Sequence, residues 1–172
     1  MLEIGKMDEV EIQYDRYREA YQRIESSIET EHFFEAIAIE ESILSDRLCS
    51  FLRSTNGISD KDANRQSFAQ IIISWKLATS AVGVVWEECS ELISQVDNWR
   101  KQRNKYIHGL VKFPNNKAKL VKTKEFIDGA KGTAIEGKRL ANEVSEWRKR
   151  QSSIKRRLTN ESKAGNGVSG DE

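Results

Sequence analysis

The segment WRKQRNKYIHGL, residues 99–110, brings together side chains that could act on a phosphodiester. Arg103 supplies a guanidinium, which can stabilise negative charge, and His108 supplies an imidazole, which can donate or accept a proton near neutral pH. Asn104 precedes His108 by four residues, so the two side chains share one face of a helix. These three groups around one cleft would suit phosphodiester chemistry, with Asn104 orienting the imidazole or holding a phosphate oxygen.

Arg103 continues an apolar stripe of the helix that precedes it. A charge on this core-facing side is costly unless it is paired, and a second predicted helix offers Glu40 and Glu41 as supporting carboxylates. A buried ion pair, or an arginine that extends to solvent, is therefore an alternative to a catalytic role. The stripe has a spacing of four and three residues and comprises Val85, Cys89, Leu92, Val96 and Trp99.

His108 occupies the last turn of this predicted helix, with Gly109 as the C-cap. R-x-x-x-x-H by itself is a weak signal, because a chain with 13 arginines contains it often by chance. An asparagine directly after the arginine and a position at a helix end make the pattern more specific.

RNKYIH resembles the R-N-x-x-x-H form of the R-x(4–6)-H motif of HEPN domains (higher eukaryotes and prokaryotes nucleotide-binding). EHFFEAIAIEESILSDRLCSFL is similar to the second helix of these domains, and the resemblance covers roughly residues 30–158. It implies a metal-independent endoribonuclease without a cofactor, often a toxin or an antiphage-defence effector. It also implies a homodimer whose two motifs form one composite cleft, with Arg103 and His108 catalytic and Asn104 the polar residue after the arginine.

The same resemblance leaves other functions open. One HEPN subfamily carries R-x-x-x-x-H-x-Y, whose tyrosine is modified by a partner nucleotidyltransferase, but Leu110 stands at that position here. A cognate antitoxin is another expected partner. Other HEPN modules are inactive and bind RNA, nucleotide or a protein, and a helical adaptor that uses Arg103 and His108 only for packing is a third class.

Basic and aromatic residues around the motif are the expected RNA contacts. Cations would position the phosphate backbone and an aromatic ring, Tyr106 or Trp99, would stack a base. A solvated surface for the lysines and core packing for Trp99 are the alternatives. The cations are Arg100, Lys101, Lys105 and Lys112.

The charge distribution also favours a polyanionic partner. Residues 1–48 contain 13 acidic and five basic side chains, whereas residues 97–172 contain nine acidic and 19 basic ones. Packing of the acidic first helices against the basic last ones is the competing interpretation. The run RKRQSSIKRR, residues 148–157, could contact RNA or only keep a helix end soluble.

Length and periodicity predict one all-α domain, a bundle of four to five helices over residues 1–158 followed by a disordered tail over 159–172. The first helix is expected over about residues 9–27, and the second from an N-cap at Thr30 to Asn56-Gly57. The third is expected over residues 65–80, with Asp62 or Asn64 as its cap, and the fourth over residues 85–109. The last helix is expected to end at about Leu158. Residues 113–119 are expected to form a turn.

Several classes of function are excluded by what the sequence lacks. It contains no nucleotide-binding glycine loop, no paired E-x-x-H for a di-iron site and no long apolar run, so no metal and no membrane association are expected. Cys49 and Cys89 are expected to be reduced core residues in a cytoplasmic protein.

Overall fold

The computed structural model describes residues 4–63, 65–80, 83–109 and 123–165. Within these ranges the chain is helical apart from short connections, so the predicted all-α fold is confirmed. The described residues form five long helices and one four-residue turn of helix: α1 (Ile4–Glu29), α2 (Phe33–Ser54), α3 (Asp60–Ala63), α4 (Phe68–Ser80), α5 (Gly83–Gly109) and α6 (Thr123–Gly165).

The central helix of the bundle is α2, because apolar residues lie on more than one of its faces. Ten of its 22 residues are buried. A helix that is apolar on several sides must be surrounded by other elements, and α2 packs against α1, α4 and most extensively α6.

Contacts between α2 and α6 show that the two helices run in the same direction. The carboxyl group of Glu40 lies against Gly137, and Arg148 donates to the backbone oxygen of Ser50 further along both helices. The C-terminal half of α6 therefore lies beside the C-terminal end of α2.

The helices α1 and α5 run antiparallel to α6. For α1 this follows from the ion pair between Glu25 and Lys138 and the hydrogen bond between Tyr21 and Ser145. For α5 it follows from three hydrogen-bonded pairs: Glu88 with Gln151, Gln95 with Arg139, and Trp99 with Thr133.

Aromatic rings fill the core between α2, α4, α5 and α6. Trp147 is fully buried, with ring centroids 4.7 Å from Phe51 and 5.2 Å from Trp75. Phe68 meets the ring of Trp99 edge-on at 6.1 Å. Such large side chains dominate burial, and the last contact fixes the start of α4 beside the part of α5 that carries the motif.

The start of α2 differs from the prediction. Thr30 is not its N-cap, because the Thr30 hydroxyl donates to the backbone oxygen of Ser26 in α1 and lies 2.7 Å from His32 Nδ1. The helix begins at Phe33, and His32 at the N-cap position makes no side-chain capping hydrogen bond. The threonine thus closes the preceding helix instead of opening the next one.

The helix α2 ends where predicted, but a different residue adopts the left-handed conformation. Asn56, not Gly57, adopts the left-handed conformation, with φ of 57°. The N–H of Gly57 donates to the backbone oxygen of Leu52 at 2.8 Å, which satisfies a carbonyl at the helix end. Asparagine is one of the few residues other than glycine that accept this conformation readily.

A different residue caps α4 from those predicted. The Ser67 N–H donates to the side-chain oxygen of Gln70 at 2.8 Å, and the Gln70 N–H donates back to the Ser67 hydroxyl. This reciprocal pair is a capping box. Asp62 instead pairs with Ser59 in the turn of α3, and Asn64 lies outside the described residues.

The last helix extends beyond its predicted end at about Leu158, so residues 159–165 of the predicted tail are helical. It begins at Thr123, passes through Gly129, Gly132 and Gly137, and extends to Gly165. The predicted turn at 113–119 and residues 166–172 of the predicted tail lie outside the described residues.

The two cysteines of the chain are both buried, and neither is in a disulfide. Their burial agrees with the prediction that they are core residues.

Candidate functional site

Arg103 lies on the inner side of α5 and forms an ion pair with Glu41 of α2. Its Nη1 also donates to the side-chain oxygen of Asn104 at 2.8 Å. The side chains of Arg103 and Glu41 are 22% and 21% exposed, so the pair is half-buried and not sealed from solvent. The structure therefore brings three of the predicted residues together and fixes the guanidinium between a carboxylate and an amide.

The guanidinium of Arg103 lines an open cleft of about 570 Å³ between α2, α5 and the start of α4. One wall is a row of α2 residues four positions apart, which places them on one face of the helix. This row, called the α2 row below, comprises Glu41, Ser45, Cys49 and Arg53. The volume of the cleft is in the range of small-molecule and nucleotide pockets.

Three guanidinium groups and two carboxylates line this cleft. Arg53, Arg100 and Arg103 supply the positive charge, and Glu41 and Asp46 supply the negative charge. The Tyr17 hydroxyl from α1 donates to Asp46. Asp97, outside the lining, also pairs with Arg100, so the charges nearly balance. Guanidinium groups are nevertheless suited to phosphate because their N–H donors match its oxygens.

His108 is exposed and does not line the cleft. Five residues of helix separate it from Arg103, which corresponds to a rotation of about 140° and a rise of about 7.5 Å. It forms no hydrogen bond or ion pair with another described residue. Within one chain, the structure therefore places Arg103 and Asn104 in the cleft and leaves His108 at the surface beyond its end.

Asp97 partly neutralises two of the predicted RNA-binding cations. Lys101 and Arg100 contact its carboxylate at 2.8 and 2.9 Å, and these hydrogen bonds lower the pKa of Asp97. Lys105 is exposed, with its ammonium 5.0 Å from the neighbouring Tyr106 ring. The remaining predicted cation, Lys112, lies outside the described residues.

The expectation that Tyr106 stacks on a base is corrected by its position in the core. Tyr106 is buried, and its ring packs against Phe126 with centroids 5.3 Å apart. A Cβ on Gly129 would overlap the Tyr106 hydroxyl, so the two helices approach closely there. Trp99 is also buried and donates to the backbone oxygen of Thr133 at 2.9 Å, as the core-packing alternative predicts.

The second expected supporting carboxylate, Glu40, does not reach Arg103. It is fully buried against Gly137 and Trp99, and no side chain among the described residues forms a hydrogen bond with its carboxyl oxygens. Burial raises the pKa of Glu40 to about 9, and the neighbouring Lys138 offsets this only in part. Glu40 is therefore a neutral acid of the core at neutral pH.

Two parts of the cleft were not predicted from the sequence. Arg53 could have been found, because it continues the row of Glu41 in steps of four residues along α2. Gln66 and Ser67 give no such signal, since only the packing of Phe68 on Trp99 brings the start of α4 to the cleft.

Comparison of the chain with protein-family models, curated proteins and solved structures gave no match. No group of three or more metal-ligating side chains occurs among the described residues. In the part of the chain that the structure describes, no helix has the length and hydropathy needed to cross a bilayer.

Proposed function

We propose that this protein is a HEPN-like, metal-independent endoribonuclease that acts as a homodimer. The observation that carries the proposal is the placement of Arg103, held by Glu41 and Asn104 in an open cleft, on the helix whose end presents the exposed His108. Fixed donors for a phosphate, together with a titratable group near the same path, are what RNA transesterification requires.

The reaction needs no group beyond the RNA and these side chains. The ribose 2′-OH attacks the adjacent phosphorus, the bond to the 5′-oxygen breaks, and a 2′,3′-cyclic phosphate forms. One histidine accepts the proton of the 2′-OH, and a second donates a proton to the departing 5′-oxygen. Arg103 stabilises the additional negative charge on the phosphoryl oxygens in the transition state.

The ion pair of Arg103 is compatible with this role. A guanidinium has five N–H donors, and Glu41 and Asn104 account for two of them. A carboxylate that holds the guanidinium in one position reduces the reorganisation needed when phosphate binds. Glu41 is thus proposed as a positioning residue for Arg103.

A homodimer would supply what one chain lacks at the cleft. His108 lies beyond the end of the cleft in the single chain, whereas a second copy that docks at the motif end of α5 would add its own Arg103 and His108. Two copies would also supply the two histidines that the reaction uses. A two-fold axis through the motif ends generates this composite cleft.

The test compares cleavage of labelled RNA in the presence of EDTA by the parent protein, Arg103→Ala and His108→Ala. Loss of either group is expected to lower the rate by about 10²-fold to 10⁴-fold. His32→Ala is the matched control, because His32 is the other histidine of the chain and lies at the start of α2. Folded Arg103→Ala or His108→Ala protein that cleaves RNA as fast as the parent would exclude this mechanism.

Growth arrest on expression, abolished by His108→Ala, is the expected result for a toxin or antiphage-defence effector. Co-expression with the protein of a neighbouring gene tests for a cognate antitoxin. A neighbouring nucleotidyltransferase would be the alternative partner.

A second candidate function is a non-catalytic HEPN-like module that binds RNA or nucleotide. The ion pair between Arg103 and Glu41 favours it, since part of the arginine's charge is already compensated. RNA binding that weakens steeply with salt but gives no cleavage product would support this second function over the first.

A further inference from the structure

We propose that RNA bound in the cleft continues past Arg53 onto a basic surface formed by the C-terminal ends of α2 and α6. This inference rests on the proposal that the cleft takes RNA, and it adds the path that the strand follows outside the cleft. The surface, called the basic end below, comprises the residues of segments 47–59 and 147–160 that the structure describes as exposed or partly exposed.

The basic end is rich in positive charge. Residues 47–59 and 147–160 contain eight lysines and arginines and no aspartate or glutamate, and one of these cations, Lys149, pairs with the preceding Glu146. Because α2 and α6 run parallel, these two segments lie at the same end of the bundle. Such a local field attracts a polyanion.

A direct contact joins the basic end to the cleft. Lys155 of α6 donates to the backbone oxygen of Ser54, which is the last residue of α2. The preceding residue, Arg53, lines the cleft. Lys155 of α6 therefore lies next to the residue that ends the α2 row.

The α2 row gives the length and direction of the path. Glu41, beside Arg103, and Arg53 are 12 residues apart, which corresponds to about 18 Å of helix. A nucleic acid strand rises about 3.4 Å per nucleotide when stacked. About five or six stacked nucleotides would thus span this length, and only a longer strand would reach Arg156, which is exposed beyond Lys155.

Two features of the basic end suggest roles other than RNA binding. Lys155 satisfies a carbonyl at the end of α2, which is a local structural role. The first helix starts at the same end and its exposed residues include Glu11, so a second copy could place an acidic α1 on these cations. RNA is the favoured occupant because the basic end is continuous with a cleft that is itself lined by guanidinium groups.

The test measures binding of fluorescent oligouridine of four and of 12 nucleotides to full-length protein carrying His108→Ala, so that cleavage does not intervene. Arg156→Glu is added because it leaves the contact between Lys155 and Ser54 intact. Lys131→Glu is the matched control: it makes the same charge change at an exposed position of the same helix, 25 residues away and about 37 Å along the axis.

We expect Arg156→Glu to weaken binding of the 12-mer about threefold to tenfold and to reduce its salt dependence by about one phosphate contact. Binding of the 4-mer should not change, and Lys131→Glu should affect neither RNA. Equal effects of Arg156→Glu and Lys131→Glu, or equal effects on both lengths, would overturn the inference.

Sedimentation tests whether a second copy of the chain, instead of RNA, binds the basic end. If Arg156→Glu dissociates a dimer and leaves 12-mer binding unchanged, the basic end contacts a second copy and the RNA path is wrong. Because binding is measured without cleavage, failure of the nuclease proposal alone would leave the length-dependent result in place.

Discussion

Glu40 and Glu41 are neighbours in α2 and have opposite environments. Glu41 faces the cleft and binds Arg103, whereas Glu40 is fully buried and forms no hydrogen bond with a described side chain. A helix turns by about 100° per residue, so adjacent carboxylates can face water and core. Glu41 can thus contribute a negative charge to the cleft while its neighbour Glu40 stays protonated in the core.

The buried acid makes stability dependent on pH. The pKa of Glu40 is about 9 in the folded protein against 4.5 for an unperturbed group. The native state keeps a proton that the unfolded chain loses, so the free energy of unfolding should fall as pH rises from about 4.5 to about 9. Glu40→Gln should remove this contribution, which is at most about 1.4 kcal/mol per pH unit.

Urea unfolding of parent and variant at about pH 6, 7 and 8 measures the effect. Glu35→Gln is the control, since it makes the same change at an exposed position of α2. A difference between parent and Glu40→Gln that stays constant over this range would show that Glu40 does not titrate as described.

The helix α6 approaches its neighbours closely at two of its glycines. A Cβ at Gly137 would overlap the Glu40 carboxyl and lie 2.8 Å from the Trp99 ring, and one at Gly129 would overlap Tyr106. At Gly132 a Cβ would meet nothing within 4 Å. Close packing of α2 and α5 on α6 therefore depends on Gly129 and Gly137 and not on Gly132.

Alanine substitution distinguishes these positions within one helix. Gly137→Ala should destabilise the protein by about 1–3 kcal/mol, because the added methyl group forces the core apart. Gly132→Ala should stabilise it by about 0.5–1 kcal/mol, because alanine favours the helix over glycine. Thermal or urea unfolding checks both, and equal effects of the two substitutions would contradict the described packing.

Across the whole molecule, the groups that we propose to act on RNA follow one line. The basic end comes first, the cleft with Arg53, Arg100 and Arg103 follows, and His108 lies beyond, because α5 runs antiparallel to α6 and α2. An RNA strand along this line would meet the second copy at the motif end of α5. The proposed catalytic centre is thus a property of the dimer.

Mixing two inactive variants tests the composite cleft. Mixed dimers of Arg103→Ala and His108→Ala protein would retain one Arg103 and one His108 in the shared cleft. We expect mixing to raise RNA cleavage about tenfold or more above either variant alone, since a single intact pair supplies part of the catalysis. No recovery in a sample that sedimentation shows to contain mixed dimers would show that one Arg103 and one His108 from different copies do not form a working cleft.

Periodicity predicted the helices but not their caps. The α4 and α5 cores followed from apolar spacing, whereas the roles of Thr30, Asn56 and Ser67 at helix ends differed from expectation. Several polar residues near each boundary can cap a helix, and the local sequence does not choose among them. The same ambiguity hid Gln66 and Ser67 from the predicted site.

The chain's own residue pattern determined that it forms a helical bundle, that Arg103 emerges on the inner side of its helix, and that a carboxylate of α2 is available to it. Only the tertiary structure decided that Glu41 is this carboxylate, that Tyr106 packs in the core, and that His108 lies apart from the cleft. The physical reason is that spacing along a helix fixes which residues share a face, whereas the packing of other helices decides which faces remain open to solvent.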